Sequence, residues 1–314
     1  SGHVFEKTAV LVATLEEGEH EGRGEGAGAD YLGDNVENMV RQAEEARRAV
    51  EAGVTREELQ TLMPPGGARN AIDCALWDIE AKLSGRPVWQ IASLPEPQPL
   101  LSTLTLGADE PAEMAKAALA LDPDAPVKVK LTGDLEDDVT RLKAIRQARP
   151  NAWLGVDANQ GYEIAELPQL LHELEAVDVK LLEQPLRRGR EADLDDFTST
   201  IPIAADESAL TLADTESLPG RFDVVNIKLD KCGGLTEALA IARRAKALGL
   251  DVMVGNMMGT SLSMAPSYLV GQLCQIVDLD GPTFLKNDRS PSVEYRQGHI
   301  ECPPRVWGHP LCRT

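Results

Sequence analysis

Val127-Lys128-Val129-Lys130, Leu154-Gly155-Val156-Asp157, Leu181-Leu182-Glu183, Ile203-Ala204-Ala205-Asp206 and Val224-Val225-Asn226-Ile227-Lys228 are five short apolar runs, and each ends in a lysine or a carboxylate. The terminal residues are separated by 157 − 130 = 27, 183 − 157 = 26, 206 − 183 = 23 and 228 − 206 = 22 residues. Each interval holds one strand and one helix. Strand and helix alternating at this rhythm specify a parallel β/α barrel, and charged residues at the C-terminal strand ends fall on the rim where barrel sites are built. A last run closes on Asp278-Leu279-Asp280.

Working outward, the pattern predicts strand–helix pairs at 101–106 with 110–121, 126–131 with 134–148, 152–157 with 163–176, and 179–183 with 190–199. It continues at 202–206 with 211–218, 224–228 with 234–248, and 251–254 with 260–273, and ends on a strand at 276–280. The expectation is an α/β chain: a modified TIM barrel, (β/α)7β, over residues 98–282, followed by a segment, 283–314, that returns to an N-terminal capping domain. That capping domain, residues 1–97, reads as α+β. Residues 4–15 and 20–25 have strand composition around a Glu16-Glu17-Gly18 turn. Helical periodicity covers 35–52 and 67–83, where Ala68, Ile72, Ala75, Leu76, Ile79 and Leu83 form one stripe stopped by Gly85 and Pro87. Gly22, Gly24, Gly26 and Gly28 lack the Lys-Ser/Thr of a phosphate loop and read as a mobile loop or lid.

Bulk properties exclude several classes. The net charge is 31 − 51 = −20, which repels phosphate backbones and anionic lipid, so nucleic acid is not an expected partner. No apolar run approaches the roughly 18 residues of a membrane span, so no membrane partner is expected. The five cysteines are odd in number, scattered and without a C-x-x-C pair, which argues against a disulfide framework or zinc knuckle and for a reducing, cytoplasmic compartment. Ser1-Gly2-His3 reads as a cleavage scar, with no signal-peptide pattern behind it. A homo-oligomer is compatible with all of this.

The chemistry lies on the rim. Lys128 and Lys130 are two apart on a strand and therefore share a face; inside a ring of helices, that face is the lumen. Asp157, Glu183 and Asp206 end three consecutive strands and offer oxygen donors alone, which select Mg²⁺, or Mn²⁺ in its place, over Zn²⁺. Asn159 shares the face of Asp157 and would orient it or a metal-bound water, or serve as a turn residue before Gly161. Lys228 ends the sixth strand, across the barrel from Lys130 on the second. Two amines facing one another over a metal suit removal of a proton from one face of a carbon and its return to the other. The carbon acid beside a carboxylate is very weak, and a divalent ion about 4 Å from one anionic charge at an effective dielectric of ~20 contributes roughly 8 kcal/mol. That is about six decades of rate. Asp278 and Asp280 imply a cationic substrate group such as an α-ammonium, with an ion pair to a lumen lysine or a second metal as the alternatives. Lys231 is assigned to a surface loop. His3, His20, His172, His299 and His309 avoid the strand ends, which disfavours imidazole chemistry and a Ser-His-Asp triad.

These residues resemble the muconate-lactonizing subgroup of the enolase superfamily and, within it, the dipeptide epimerases such as L-Ala-D/L-Glu epimerases. The likeness runs nearly end to end: Ala68-Arg69-Asn70-Ala71 through Trp77, Lys128-Val129-Lys130, Val156-Asp157-Ala158-Asn159, Leu182-Glu183-Gln184-Pro185, Ala205-Asp206-Glu207-Ser208, Asn226-Ile227-Lys228 with Lys231-Cys232-Gly233-Gly234, and Asp278-Leu279-Asp280-Gly281-Pro282. The resemblance implies one Mg²⁺ on Asp157, Glu183 and Asp206, and Lys130 and Lys228 as the acid/base pair. It also implies Lys128 on the substrate carboxylate and Asp278 and Asp280 on the ammonium of a dipeptide substrate, epimerised at the α-carbon of its C-terminal residue through an enolate. One departure bears on specificity. Members acting on Ala-Glu tend to carry a cap-loop arginine, and none occurs from Gly24 through Val40; Asp30 and Tyr31 stand there instead, which makes Tyr31 a candidate substrate contact and points away from Ala-Glu to a dipeptide with an apolar or basic second residue. Rivals are a cycloisomerase or an o-succinylbenzoate synthase-type lyase on the same fold and, in another class, a Schiff-base lysine aldolase.

Overall fold

A computed structural model describes residues 7–310. In the N-terminal domain, β1 (Leu11–Glu17) and β2 (His20–Gly26) pair antiparallel through a turn at Gly18, where φ is +61°. The ladder begins at Leu11; residues 4–6 of the predicted strand lie outside the described residues. Helix α1 (Val36–Glu51) starts where the Asn35 side chain accepts from Asn38 N. Helix α2 (Arg56–Leu62) starts on a reciprocal Thr55/Glu58 capping box. The Thr-x-x-Glu spacing was its sequence signal. Helix α3 (Gly67–Ser84) stops at Gly85, which is left-handed at φ +67°, and a short helix α4 (Val88–Ile91) follows.

The alternating glycines do something other than make a mobile loop. On β2, Gly22, Gly24 and Gly26 share one face because strand side chains alternate, and that face lies directly on the backbone of α3. A Cβ at these positions would sit 2.4 Å from Ala75 O, 2.1 Å from Ala71 O and 2.0 Å from Gly67 O, respectively. A period-two glycine row meets a period-four row of small residues, so strand and helix backbones touch. Glu25 points the other way, toward the barrel.

The remaining chain gives β3 (Leu100–Leu101), β4 (Leu104–Leu106), α5 (Pro111–Ala120), β5 (Val127–Lys130), α6 (Leu135–Ala148), β6 (Leu154–Asp157), α7 (Leu167–Ala176), β7 (Leu181–Glu183) and β8 (Ile203–Ala205). Then follow α8 (Leu212–Thr215), β9 (Val224–Ile227), α9 (Leu229–Cys232), α10 (Leu235–Ala247), β10 (Asp251–Val254), α11 (Ser261–Gly271), β11 (Ile276–Val277), β12 (Glu294–Arg296) and β13 (His299–Glu301). Strands β4 to β11 form one eight-stranded parallel sheet in sequential order. Its two edges meet where Thr103 N donates to Val277 O at 2.8 Å. Beneath the rim, Leu181, Ala204, Val224 and Met253 pack as one apolar cluster. Leu181 precedes Glu183 by two residues and Ala204 precedes Asp206 by two, so these apolar side chains share the faces of the carboxylates above them.

Several predicted elements are shorter than their patterns suggested. The run 101–106 divides: β3 joins a small sheet of order β12-β13-β3, and only β4 enters the barrel. The helix expected at 190–199 is a 3₁₀ turn, Glu191–Leu194, in a stretch crowded with Asp, Thr and Ser that favour local side-chain hydrogen bonds. The helix expected at 211–218 is the single turn α8, and the strand expected at 276–280 keeps its ladder only to Val277. No helix among the described residues is long and apolar enough to cross a membrane.

The N-terminal domain and barrel are joined through α3. Arg69 donates to Gly233 O (3.2 Å) and to Cys232 O, and pairs with Glu237. Asn70 Nδ2 donates to Asp230 Oδ1 (2.8 Å), which also accepts from Ala27 N (2.9 Å). Asp73 accepts from Thr236 N (3.0 Å) and Gln60 Nε2 (3.1 Å). Near the other end of the chain, Trp307 Nε1 donates to Arg23 O (2.7 Å), and Gly308 N to Asp78 Oδ1 (2.9 Å).

Two outcomes follow from this packing. Gly24→Ala should lose about 1–3 kcal/mol of unfolding free energy in urea, whereas Gly107→Ala, with nothing within 4 Å of its added Cβ, should be near neutral. Burial lifts the Asp73 carboxyl to about 6, against the opposing hydrogen bonds from Thr236. The stability it confers as a neutral acid is therefore full below about pH 4 and lost as pH rises through 6. The advantage of wild type over Asp73→Asn should shrink by roughly 3 kcal/mol between pH 4 and pH 7; parallel stability profiles would contradict this.

Candidate active site

The strand register sets the site. Lys130 on β5 is level with Asp157 on β6, and Asp157 with Glu183 on β7; Asp206 follows β8 directly. Each of the three carboxylates offers an oxygen such that all three lie within 4.8 Å of one another, and all three residues are buried. Lys130 Nζ is 2.5 Å from Asp157 Oδ2, and Lys228 Nζ is 2.5 Å from Asp206 Oδ2. The two lysines therefore flank the trio. They stand on β5 and β9, four places apart in an eight-stranded order, which is opposite sides of the barrel. The side chain of Lys130 is 36% exposed and that of Lys228 9%.

Lys128 lies lower in the lumen, with Nζ 2.6 Å from Asp278 Oδ2, 2.8 Å from Glu183 Oε2 and 3.5 Å from Asp157 Oδ2. Asp278 thus has the lumen lysine as its partner, and Thr103 Oγ1 donates to its other oxygen at 2.5 Å. Asp280 accepts from Thr105 N at 2.7 Å. Tyr31 sits on the 3₁₀ turn Asp30–Leu32 and is 50% exposed. Burial of the hydroxyl, together with the charge of Asp206, raises its pKa, while Lys228 works in the other direction.

Lys231 is a correction. It is buried, not on the surface, and its ammonium donates to Asp206 O (2.5 Å), Asp206 Oδ1 and Asn226 O (3.2 Å). The physical reason is α9: Lys228 caps this helix, and one turn returns the third residue to the same side. Gln184 was also missed. Its Oε1 accepts from Asp206 N (2.9 Å) and Ser208 N (3.1 Å), while Nε2 donates to Ser208 Oγ (2.8 Å). The Glu-Gln-Pro sequence was its signal. Asn159 sits in a turn conformation at φ +44°, and it is its backbone N–H, not its side chain, that donates to Asp157 Oδ1 at 3.0 Å.

Electrostatics follow from this crowding. Burial disfavours ionisation of Asp206, but Lys228 and Lys231 outweigh it and hold the carboxyl well below the usual range. Burial is likewise outweighed at Asp157 by Lys130 and Lys128. Glu183 is lifted to about 7, by burial first and the charge of Asp157 second. Lys128 is raised despite burial, because Asp278, Glu183 and Asp157 surround it; it is a fixed cation. Asp280 is lifted to about 6 by burial and by Asp278.

The trio fits a hard divalent cation. Its donors are oxygens alone, and Glu183 Oε2 is a buried atom without a hydrogen bond, although Lys128 is near it. Asn226 Nδ2 fixes the other oxygen of Glu183 at 2.7 Å. Orienting groups of this kind govern metal affinity by about 10- to 100-fold. Lys231→Met should therefore weaken Mn²⁺ binding by about that factor in a spectroscopic titration of the metal alone, with Lys231→Arg closer to wild type. Unchanged affinity would show that Asp206 orients itself.

Known proteins resemble this chain along most of its length. Residues 18–92 match the mandelate racemase/muconate lactonizing enzyme N-terminal domain, and residues 112–306 match the enolase C-terminal domain-like family. An N-acetyl-D-glutamate racemase of Pseudoalteromonas sp. is 43% identical over 80% of this chain and 79% of its own. The L-Ala-D/L-Glu epimerase of Escherichia coli K12 is 38% identical over 93% of this chain and 91% of its own. A solved dipeptide epimerase from Methylococcus capsulatus, in complex with a Mg ion, superposes with a TM-score of 0.85 at 29% identity, covering 94% of this chain and 91% of that one. Epimerases and racemases are isomerases, and with both halves matched, this chain belongs to the mandelate racemase/muconate lactonizing branch of the enolase superfamily.

Proposed function

We propose that the protein is a Mg²⁺-dependent epimerase that moves a proton between the two faces of the α-carbon in the C-terminal residue of a dipeptide. The observation that carries this is the pair Lys130 and Lys228, on opposite strands and at opposite ends of the Asp157–Glu183–Asp206 trio. One lysine, neutral, takes the α-proton; the other, as ammonium, returns a proton to the opposite face, and the carbanion between them is an enolate delocalised into the substrate carboxylate. Asp157, Glu183 and Asp206 would hold Mg²⁺, or Mn²⁺ in its place, which supplies charge stabilisation to that carboxylate. Lys128 is held protonated by three carboxylates, so it adds positive potential beneath the carboxylate and is not the base. Tyr31, half-exposed on the 3₁₀ turn of the N-terminal domain, is the substrate contact proposed from that side. A reducing cytoplasm is the compartment that the scattered cysteines favour.

In the dipeptide reading, Asp278 and Asp280 receive the substrate ammonium. A second reading, an N-acyl amino acid with no ammonium, is favoured by one observation: Asp278 is already paired with Lys128. The racemase of the 43% identical relative acts, by its name, on such a substrate.

Both readings share one experiment. With Mg²⁺ in D₂O, L-Ala-L-Glu, L-Ala-L-Leu and N-acetyl-L-glutamate are followed by proton NMR; loss of the α-proton signal and growth of the second stereoisomer are expected, both abolished by EDTA. Lys130→Ala and Lys228→Ala should each stop epimerisation by about 10²- to 10⁴-fold, each retaining exchange only with the stereoisomer whose α-proton faces the surviving lysine. Absence of exchange with every substrate would discard the proposal. A borohydride-trapped imine without metal would favour an aldolase, and loss of water or ring formation would favour the lyase or cycloisomerase.

A further inference from the structure

Strand order fixes where the nitrogen on the reacting carbon must lie. An enolate is planar at the α-carbon, and two amines serving its two faces stand on opposite sides of that plane. Lys130 and Lys228 mark the β5 and β9 sides of the barrel, so the plane runs along the other diameter, from β7 to β11. The substrate carboxylate lies in that plane toward the trio, around β7. The nitrogen, a second in-plane substituent, therefore leaves on the side of β10, β11 and β4. An amide nitrogen brings one N–H there, and away from water that N–H needs an acceptor.

Acceptors on that side are mostly committed. Asp278 is paired with Lys128 and accepts from Thr103 Oγ1, and Asp280 accepts from Thr105 N at 2.7 Å. Asn256, in the loop after β10, is different. Its Nδ2 donates to Met257 O at 3.0 Å, which sets the orientation of the carboxamide, while its Oδ1 is a buried atom without a hydrogen bond among the described residues. A buried acceptor left unpaired is costly, and a native structure rarely keeps one without a use for it.

Contacts on both flanks tie this loop to the reacting centre. Gly255 N donates to Ile227 O, one residue before Lys228, at 2.9 Å, and Asp278 N donates to Val254 O at 2.9 Å. Gly255 lies against Lys228 itself: a Cβ added there would stand 2.9 Å from Lys228 Cε and 2.8 Å from Asn226 Oδ1. On the other flank, a Cβ added to Gly281, the residue after Asp280, would stand 2.9 Å from Asn256 Nδ2. Nδ2 is thus the end of the carboxamide set against the wall beyond β11, and Oδ1 is turned away from that wall. Asn256 spans the interval between Lys228 and Asp280, where the substrate nitrogen leaves the reacting carbon.

We propose that Asn256 Oδ1 accepts the amide N–H on the carbon that is epimerised, and that this contact selects an α-acylamino acid over the matching α-acyloxy acid. The assignment rests on the epimerase reading above for the plane of the substrate. It applies equally to a dipeptide and to an N-acyl amino acid, because both carry that N–H. Asp280 is the rival acceptor on the same side; with the amide N–H on Asn256, Asp280 is left to whatever group the acyl portion carries.

The test uses the full chain with Mg²⁺ and three compounds, L-Ala-L-Leu, L-Ala-L-Glu and N-acetyl-L-glutamate, each beside its ester analogue, in which oxygen replaces the amide N–H. Calorimetric Kd and α-proton exchange in D₂O are measured for wild type, Asn256→Leu, Asn256→Ala and Asp280→Asn. For each compound that binds, wild type should favour the amide over its ester by about 10- to 100-fold, the scale of a buried acceptor left without its donor. Asn256→Leu and Asn256→Ala should bring that ratio close to one, and Asp280→Asn should leave it in place. A purely structural role for Asn256 would weaken amide and ester alike. That result, a wild-type ratio near one, or a ratio lost in Asp280→Asn and kept in Asn256→Leu would overturn the proposal; the wild-type ratio decides even if the variants do not fold. An Asn256-dependent ratio in Kd without exchange of any compound would remove the epimerase reading and leave the binding assignment standing. Exchange with no preference for the amide would do the reverse, and neither binding nor exchange would end both.

Discussion

Three carboxylates buried at the ends of adjacent strands cannot all be ionised unless cations come with them, and this constraint organises the centre of the molecule. Like charges a few ångströms apart, over an apolar floor of Leu181, Ala204, Val224 and Met253, are mutually repulsive and poorly solvated. The chain answers with Lys128, Lys130, Lys228 and Lys231, one or more at each carboxylate. None of these is interchangeable with another. Lys128 and Lys231 are enclosed by acceptors on several sides, whereas Lys130 and Lys228 each touch a single carboxylate oxygen.

The barrel's register turns this charge balance into a tool. Because parallel strands place equivalent positions at equal height, Lys130, Asp157 and Glu183 align without any loop having to find its place. The N-terminal domain is then fastened where the rim needs a roof. Glu25, on the face of β2 opposite the glycine row, accepts from Thr260 N (2.7 Å), Thr260 Oγ1 (2.6 Å) and Arg289 Nε (3.1 Å). One alternating strand therefore packs on α3 with one face and grips the barrel with the other. The turn carrying Tyr31 leaves from the end of that strand.

Much of this was legible before any coordinates. The barrel and the lysine-flanked trio were readable because strand spacing and side-chain alternation are local properties, and a residue at a strand end has few places to go. What escaped had a different cause in each instance. Lys231 looked like a loop residue because a four-residue helix leaves almost no periodic trace, yet that single turn carries the ammonium under Asp206. The glycines of β2 looked like a loop because glycine lowers strand propensity; their purpose, contact with α3, is long-range and has no local signature. The partner of Asp278 was open in the sequence because Lys128 lies 150 residues away, and the choice between lysine and ligand depends on side-chain reach, not on pattern.

The two flanking lysines also differ in a way that the sequence could not express. Lys130 has about a third of its side chain open to solvent, while Lys228 is walled in with 9% exposed and sits one helical turn from Lys231. Burial by itself would make Lys228 easier to deprotonate, but Asp206 and Glu183 outweigh it and raise its pKa. The same strand-end geometry that makes the site symmetric in residue type makes it asymmetric in exposure, with Lys130 open to the medium and Lys228 enclosed beside the buried carboxylates.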